Sequence, residues 1–124
     1  MNDALRLRGL TAALLLLTLV GTAAPARAEE TTPLEIMLNP TRFTGQMVTV
    51  HGTLTNLQPR GHTGGPGAVF DVMDRGAFVH VLSLTPPPCS AGSAVTVNGR
   101  FLTTQSSGGQ TLTNVIEAIS MSCP

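Results

Sequence analysis

The chain has 124 residues, of which 42% are hydrophobic and 11% are charged, and its formal net charge at pH 7 is zero. This length fits one domain at most, and the low charge excludes an intrinsically disordered chain. The 13 glycines follow no triplet period, which excludes a collagen-like chain. A neutral chain also lacks the basic surface with which proteins bind nucleic acid or anionic lipid.

The N-terminal segment has the pattern of a cleaved secretory signal peptide. A positively charged start precedes an apolar run over residues 10–20, and the small residues Ala26 and Ala28 occupy the positions that a signal peptidase reads. The apolar run is too short to span ~30 Å of hydrocarbon as a helix, and an uncleaved membrane anchor is the alternative interpretation. We therefore expect an exported protein, periplasmic or secreted, with residues 1–28 as the signal peptide and 29–124 as one domain.

Removal of the signal peptide changes the charge balance of the chain. Four of the seven arginines and six of the seven acidic residues remain, there is no lysine, and the formal charge becomes −2. A mildly acidic domain is poorly suited to a polyphosphate ligand.

The two cysteines, Cys89 and Cys123, are predicted to form one structural disulfide. Neither lies in a Cys-x-x-Cys motif, and an exported chain with two cysteines most simply joins them. A redox-active pair is the alternative, but it needs a readily ionised thiol, and neither cysteine has Lys, Arg or His close by in the sequence. The cross-link is expected to destabilise the unfolded state by about 3.5–4 kcal/mol.

The first predicted element is a short helix over residues 33–38. Thr32 is its expected N-cap, Pro33 its first residue, and Glu35 lies in its first turn. Asn39-Pro40 is expected to end it.

Alternation of apolar and polar residues then predicts five strands. They cover residues 47–54, 68–74, 77–84, 94–103 and 111–121. A tight hairpin at Asp74-Arg75-Gly76 joins the second and third strands, and the Gly- and Pro-rich residues 58–67 and the residues 105–110 form loops. The proline run 86–88 ends the third strand.

Two segments of the chain echo each other. Residues 45–54 and 92–101 both read Gly-x-x-Val-Thr-Val-x-Gly-x-apolar. The inner glycines, Gly52 and Gly99, allow long strands to bend sharply. Five strands with two such bends predict a small closed barrel.

The order of several short segments carries a family resemblance. These are Leu-Asn-Pro-Thr-Arg-Phe-Thr-Gly (38–45), Val-Thr-Val-His-Gly (48–52), Phe-Asp-Val-Met-Asp (70–74), Val-Thr-Val-Asn-Gly (95–99) and Ile-Glu-Ala-Ile (116–119). Over residues 33–121 the chain resembles exported bacterial OB-fold proteins of the group called nucleic-acid-binding or anticodon-binding-like OB domains. The resemblance implies an all-β fold, a five-stranded OB-fold-like Greek-key barrel with a short N-terminal helical turn. OB barrels usually carry a helix between their third and fourth strands, but residues 85–92 are too short and proline-rich for one.

The resemblance also implies binding of single-stranded nucleic acid on the outer face of the second and third strands. Such binding uses stacking aromatics in a positive groove, whereas this chain has no Trp or Tyr. Phe43, Phe70 and Phe101 are assigned to the core, and Phe78 faces outward beside His80 in one of two registers of the third strand. Nucleic acid is therefore the alternative ligand.

The favoured function is a non-catalytic binding module for a peptide, protein or small molecule. The predicted ligand-binding residues are Arg60, His62, Val69, Asp71, Met73, Phe78 and His80. This partly apolar mixture suits such a ligand better than a polyphosphate. An exposed edge strand offers a second mode, pairing with a strand of the partner.

Periplasmic metal or haem handling is the second alternative. Candidate ligands of suitable type are His51, His62, His80, Met47 and Met73. They show no recognised ligand spacing, and residues 111–124 lack the histidine that haem-chaperone OB proteins use. No cofactor or metal is predicted.

Catalysis is not predicted either. Asp71 and Asp74 lie three residues apart in and beside a strand, so they point to opposite faces and cannot act as a general acid–base pair. No histidine–carboxylate pair is evident in the sequence, and Asp74 fits a turn.

Overall fold

A computed structural model of the protein describes residues 27–59, 67–107 and 109–124. Its elements are β1 (Glu29–Thr31), α1 (Pro33–Leu38), α2 (Pro40–Phe43), β2 (Met47–Pro59), β3 (Ala68–Asp74), β4 (Ala77–Ser83), β5 (Ala94–Ser107) and β6 (Gln110–Ser122). Residues 1–26 of the predicted signal peptide and most of the predicted loop 58–67 lie outside the described residues. Within the described ranges, no helix has the length and apolar character needed to cross a membrane.

Strands β2 to β6 close into a barrel. The first half of β2 pairs antiparallel with β5 and its second half pairs antiparallel with β3, so β2 joins the two ends of the sheet. The closure continues through antiparallel β3–β4, parallel β4–β6 and antiparallel β6–β5 pairs. This is the closed five-stranded barrel of the OB-fold, and the predicted fold class is confirmed.

Two glycines occupy the crowded points of this barrel. Gly52 precedes Thr53, which pairs with both β3 and β5, and a Cβ atom on Gly52 would lie 2.6 Å from the carbonyl oxygen of Met73. A Cβ atom on Gly99 would collide with the carbonyl oxygen of Glu117, beside a register shift between β5 and β6. Glycine is required at both positions because another strand approaches closely.

The N-terminal helices close one end of the barrel. The hydroxyl of Thr32 accepts a 3.1 Å hydrogen bond from the backbone N–H of Glu35, which confirms the predicted N-cap. Ile36 of α1 and Phe43 of α2 are fully buried in the barrel core. Residues 84–93, all of them described, contain no helix between β4 and β5. The helices that close the barrel end therefore precede the barrel strands in the sequence and do not lie between β4 and β5.

The core consists of side chains that alternate inward along each strand. The predicted core residues Phe43, Phe70 and Phe101 are fully buried. In β3, Ala68 and Val72 point inward with Phe70, and the intervening residues point outward, as the alternation predicts.

The predicted disulfide between Cys89 and Cys123 is present. Both half-cystines are partly buried against the barrel core. The cross-link joins the segment after the proline run to the residue that follows β6.

Several element boundaries differ from the predicted ones. Strand β1, which pairs in parallel with β2, is not predicted, because three residues are too few for alternation to be visible. Asn39-Pro40 ends α1, but Pro40 then begins α2, since proline fits the first turn of a helix. Strand β4 ends at Ser83, one residue earlier than predicted. Strand β5 continues through residues 104–107. These residues are all polar, so no alternation of apolar and polar residues marks them as a strand.

Candidate ligand-binding face

Five of the predicted site residues share the outer face of β3 and β4. We call this set, Val69, Asp71, Met73, Phe78 and His80, the ligand face. The register places Val69 opposite Leu82, Asp71 opposite His80, and Met73 opposite Phe78. Directly opposed residues have Cβ atoms about 4.5–5.5 Å apart. The side chains therefore form three cross-strand pairs that follow one another along the two strands. The other two predicted residues, Arg60 and His62, lie outside the described residues.

The apolar part of the ligand face is exposed. Met73 is 39% exposed and Phe78, directly opposite, is 40% exposed. The ring of Phe78 packs edge-on against His80, with 5.5 Å between the ring centroids. The sequence leaves open which face of β4 carries Phe78 and His80. In the structure, both side chains face outward.

Next to Met73 and Phe78 on the same face lies a histidine–carboxylate pair. His80 Nδ1 is 2.6 Å from Asp71 Oδ1, and the side chains are 30% and 12% exposed, respectively. The expectation that no such pair exists is wrong. The two residues are nine positions apart in sequence, and the tight turn between β3 and β4 places them opposite each other.

A third residue, which the sequence did not single out, completes this network. Asn56 Nδ2 donates a hydrogen bond of 3.3 Å to Asp71 Oδ2. Asn56 has a φ of 53° and lies in the irregular register between Thr55 and Gln58, where β2 bulges. Asn tolerates this left-handed conformation better than most residues, and bulges commonly redirect a side chain. An Asn just before a Gly- and Pro-rich loop is the signal that could have pointed to it.

The ligand face carries no net positive charge. Its ionisable members are Asp71 and His80, so its formal charge is −1 with a neutral imidazole and zero with a protonated one. The face therefore offers a phosphate group no uncompensated cation.

Of the candidate metal-ligating histidines, His51 and His80 have separate partners, and His62 lies outside the described residues. His51 Nδ1 is 2.8 Å from Thr96 Oγ1 and its Nε2 is 3.5 Å from Glu30, whereas His80 pairs with Asp71. Across residues 27–59, 67–107 and 109–124, no three His, Cys, Asp or Glu residues are grouped to hold a metal ion.

An apolar groove adjoins the Val69 end of the ligand face. It has a volume of about 420 Å³ and is lined by Leu57, Gln58, Pro59, Gly67, Ala68, Pro86 and Pro87. Because Gln58 pairs with Val69, and Pro59 with Ala68, the groove begins where the β3 part of the ligand face ends. A ligand on the face can extend into it.

Comparison with known proteins identifies the fold. No protein-family model matches the chain, and neither does any curated protein sequence. A solved protein assigned as an aspartyl-tRNA synthetase from Leishmania major Friedlin superposes with a TM-score of 0.58 and 10% identity, over 84% of this chain and 22% of that chain. Asparaginyl-tRNA synthetase from Pyrococcus horikoshii gives a TM-score of 0.56 and 13% identity, over 78% of this chain and 23% of that chain. The chain thus spans about a fifth of these enzymes, and the similarity establishes the OB-fold alone.

Proposed function

We propose that the protein is a non-catalytic binding module whose ligand, a peptide, protein segment or small molecule, occupies the ligand face. The observation that carries this proposal is the pairing of two exposed apolar side chains, Met73 and Phe78, beside a hydrogen-bonded histidine. A surface with apolar area and one oriented polar group is typical of binding sites.

The charge of the ligand face favours an uncharged ligand. The buried carboxylate of Asp71 repels anions, and His80 at most neutralises it. The groove next to Val69 adds further apolar surface and, among its described lining residues, no charged side chain.

The comparison with solved structures supports a non-catalytic role. The similarity to synthetases covers only about a fifth of each enzyme, as expected for an accessory domain.

Mapping of fragments by NMR tests the proposed function. We would titrate ¹⁵N-labelled protein with a library of neutral ring compounds and follow the backbone amide signals. Shifts confined to the ligand face and its groove support the proposal, whereas shifts elsewhere, or none at millimolar concentrations, contradict it.

A substitution on the face, with a matched control, makes the same test quantitative. Covering the exposed part of Phe78 contributes about 1–2 kcal/mol to binding, so Phe78→Ser is expected to weaken binding at least fivefold. Ile119→Ser removes another large exposed apolar side chain, 70% exposed and away from the face. This control is expected to leave binding unchanged.

Single-stranded nucleic acid is the second candidate ligand. It is favoured by the structural similarity to enzymes whose names state that they act on tRNA, and by the exposed ring of Phe78 on the face that OB-folds commonly use. Fluorescence anisotropy with labelled oligonucleotides at low salt tests it. Micromolar binding that Phe78→Ser weakens would favour nucleic acid, and no binding at 200 μM protein would exclude it.

We also propose that the protein is exported after removal of residues 1–28. The charged start, the apolar run and the small residues before Glu29 support this, as does a disulfide, which persists in oxidising compartments. Mass spectrometry of the protein from the envelope fraction of a bacterial host tests it. A mature N-terminus at Glu29 is expected, and an intact N-terminus in the cytoplasm contradicts the proposal.

A further inference from the structure

The hydrogen-bond network of Asn56, Asp71 and His80 determines which nitrogen of His80 carries the proton. The side chain of Asp71 is 12% exposed, and its two carboxylate oxygens have separate partners, His80 Nδ1 at Oδ1 and Asn56 Nδ2 at Oδ2. An ionised carboxylate can only accept hydrogen bonds. Nδ1 of His80 is therefore the donor to Asp71 and carries a proton.

A neutral imidazole has one N–H group, so a proton on Nδ1 leaves a lone pair on Nε2. Within the described residues, Nε2 of His80 has no hydrogen-bond partner. The imidazole contacts both Asp71 and the ring of Phe78, and Asn56 holds Asp71 in turn. Such backing by a second residue fixes the tautomer and the orientation of a functional histidine.

The atoms around Nε2 define a ligand of particular chemistry. A lone pair on Nε2, backed by a buried carboxylate, accepts a hydrogen bond from an uncharged N–H or O–H donor, whereas a carboxylate or phosphate would need His80 to carry a proton on both nitrogens. Next to His80, the exposed parts of Phe78 and Met73 form one continuous apolar surface across the strand pair. An aromatic ring packs on such a surface at a modest entropic cost.

We propose that the ligand face binds an uncharged ring compound through an N–H or O–H group that donates a hydrogen bond to Nε2 of His80. This inference rests on the proposed function, since it names the ligand chemistry of the same face. Asp71 and Asn56 are positioning residues: they set the tautomer of His80 and do not contact the ligand.

The first test reads the tautomer in the free protein. Long-range ¹H–¹⁵N NMR of the purified, oxidised protein at pH 8, where an ordinary imidazole is neutral, distinguishes a proton on Nδ1 from one on Nε2. We expect His80 to be the Nδ1–H tautomer. The Nε2–H tautomer would overturn the inference and leave the proposed function standing.

The second test compares two probes that differ in one hydrogen-bond donor. Indole has a ring N–H, and 1-methylindole replaces that hydrogen with a methyl group. Each is titrated while the amide signals of the ligand face are followed. Indole is expected to bind threefold to tenfold more tightly, as expected for one hydrogen bond. The extra methyl group would by itself favour 1-methylindole, so this preference cannot come from hydrophobicity.

Three variants separate the effect of the tautomer from the effect of the shape of the site. Asp71→Asn keeps the shape, but its amide can donate to Nδ1, which frees His80 to place the proton on Nε2; the preference for indole is then expected to fall to within twofold. Asp74→Asn removes a carboxylate that lies at the turn, away from His80, and is expected to keep the full preference. Asn56→Gly retains the left-handed backbone and removes the amide that holds Asp71, and is expected to reduce the preference in the same direction as Asp71→Asn.

The outcomes are distinguishable. Equal binding of both probes on the ligand face overturns the inference and supports the proposed function. Binding of neither probe to the ligand face at 10 mM overturns the inference, whereas the proposed function is decided by the wider fragment mapping described above. A preference for indole that Asp71→Asn abolishes and Asp74→Asn retains supports both.

Discussion

Replacement of Cys89 and Cys123 by alanine removes the covalent link between the segment after β4 and the end of β6. Alanine is the better replacement because serine would place a hydroxyl group in a position that is partly buried against the barrel core. The pairs of β4 with β6 and of β5 with β6 are made by the strands themselves, so we expect them to remain in the double variant.

The expected loss of stability follows from the spacing of the two cysteines. They are 34 positions apart, and a cross-link that closes a loop of this size lowers the entropy of the unfolded chain by an amount equivalent to about 3.8 kcal/mol at 25 °C. A small domain has a free energy of unfolding of about 5–15 kcal/mol. The double variant is therefore expected to fold, with a free energy of unfolding of about 1–11 kcal/mol.

Urea unfolding followed by circular dichroism measures the effect. The chain has no Trp or Tyr, so intrinsic fluorescence is of little use. The midpoint is expected to fall and the dependence on urea to steepen, because the unfolded chain becomes more extended. Wild-type protein reduced with dithiothreitol is the control, since it loses the cross-link and keeps every other atom. A loss below 1 kcal/mol in both samples would refute the loop-entropy argument.

The remaining predictions concern packing and capping, and each is measured as a free energy of unfolding in urea. Gly99→Ala is expected to cost about 1–3 kcal/mol, because its Cβ meets the carbonyl oxygen of Glu117; an unchanged midpoint would show that the strands can separate freely. Phe101→Ala should cost about 3–5 kcal/mol for the cavity it leaves in the core. Phe78→Ala should cost about 1 kcal/mol or less, as its ring is 40% exposed; equal costs for the two would contradict their assignment to core and face. Thr32→Ala should cost about 0.5–2 kcal/mol by loss of the N-cap, and no loss would mean that the cap hydrogen bond is replaced by water.

Local patterns in the sequence account for much of the fold. The bounds predicted for the helix at residues 33–38 and for the strand at 68–74 agree with α1 and β3, because an N-cap, a turn and a two-residue alternation are read from neighbouring residues. The same alternation correctly places Val69, Asp71 and Met73 on the outer face. It cannot reveal β1, whose three residues are defined by their pairing with β2 and not by a period of their own.

For the candidate site, too, some features follow from the sequence and others only from the tertiary structure. That Phe78 and His80 belong to one strand, with one residue between them, is plain from the sequence, and so is the disulfide between the two cysteines. The register between β3 and β4 and the bulge in β2 are what bring Asp71 to His80, nine residues away, and Asn56 to Asp71, 15 residues away. A sequence pattern determines which side of a strand a residue faces, but only the closed barrel determines which residues of other strands lie beside it, since register depends on the packing of the whole sheet.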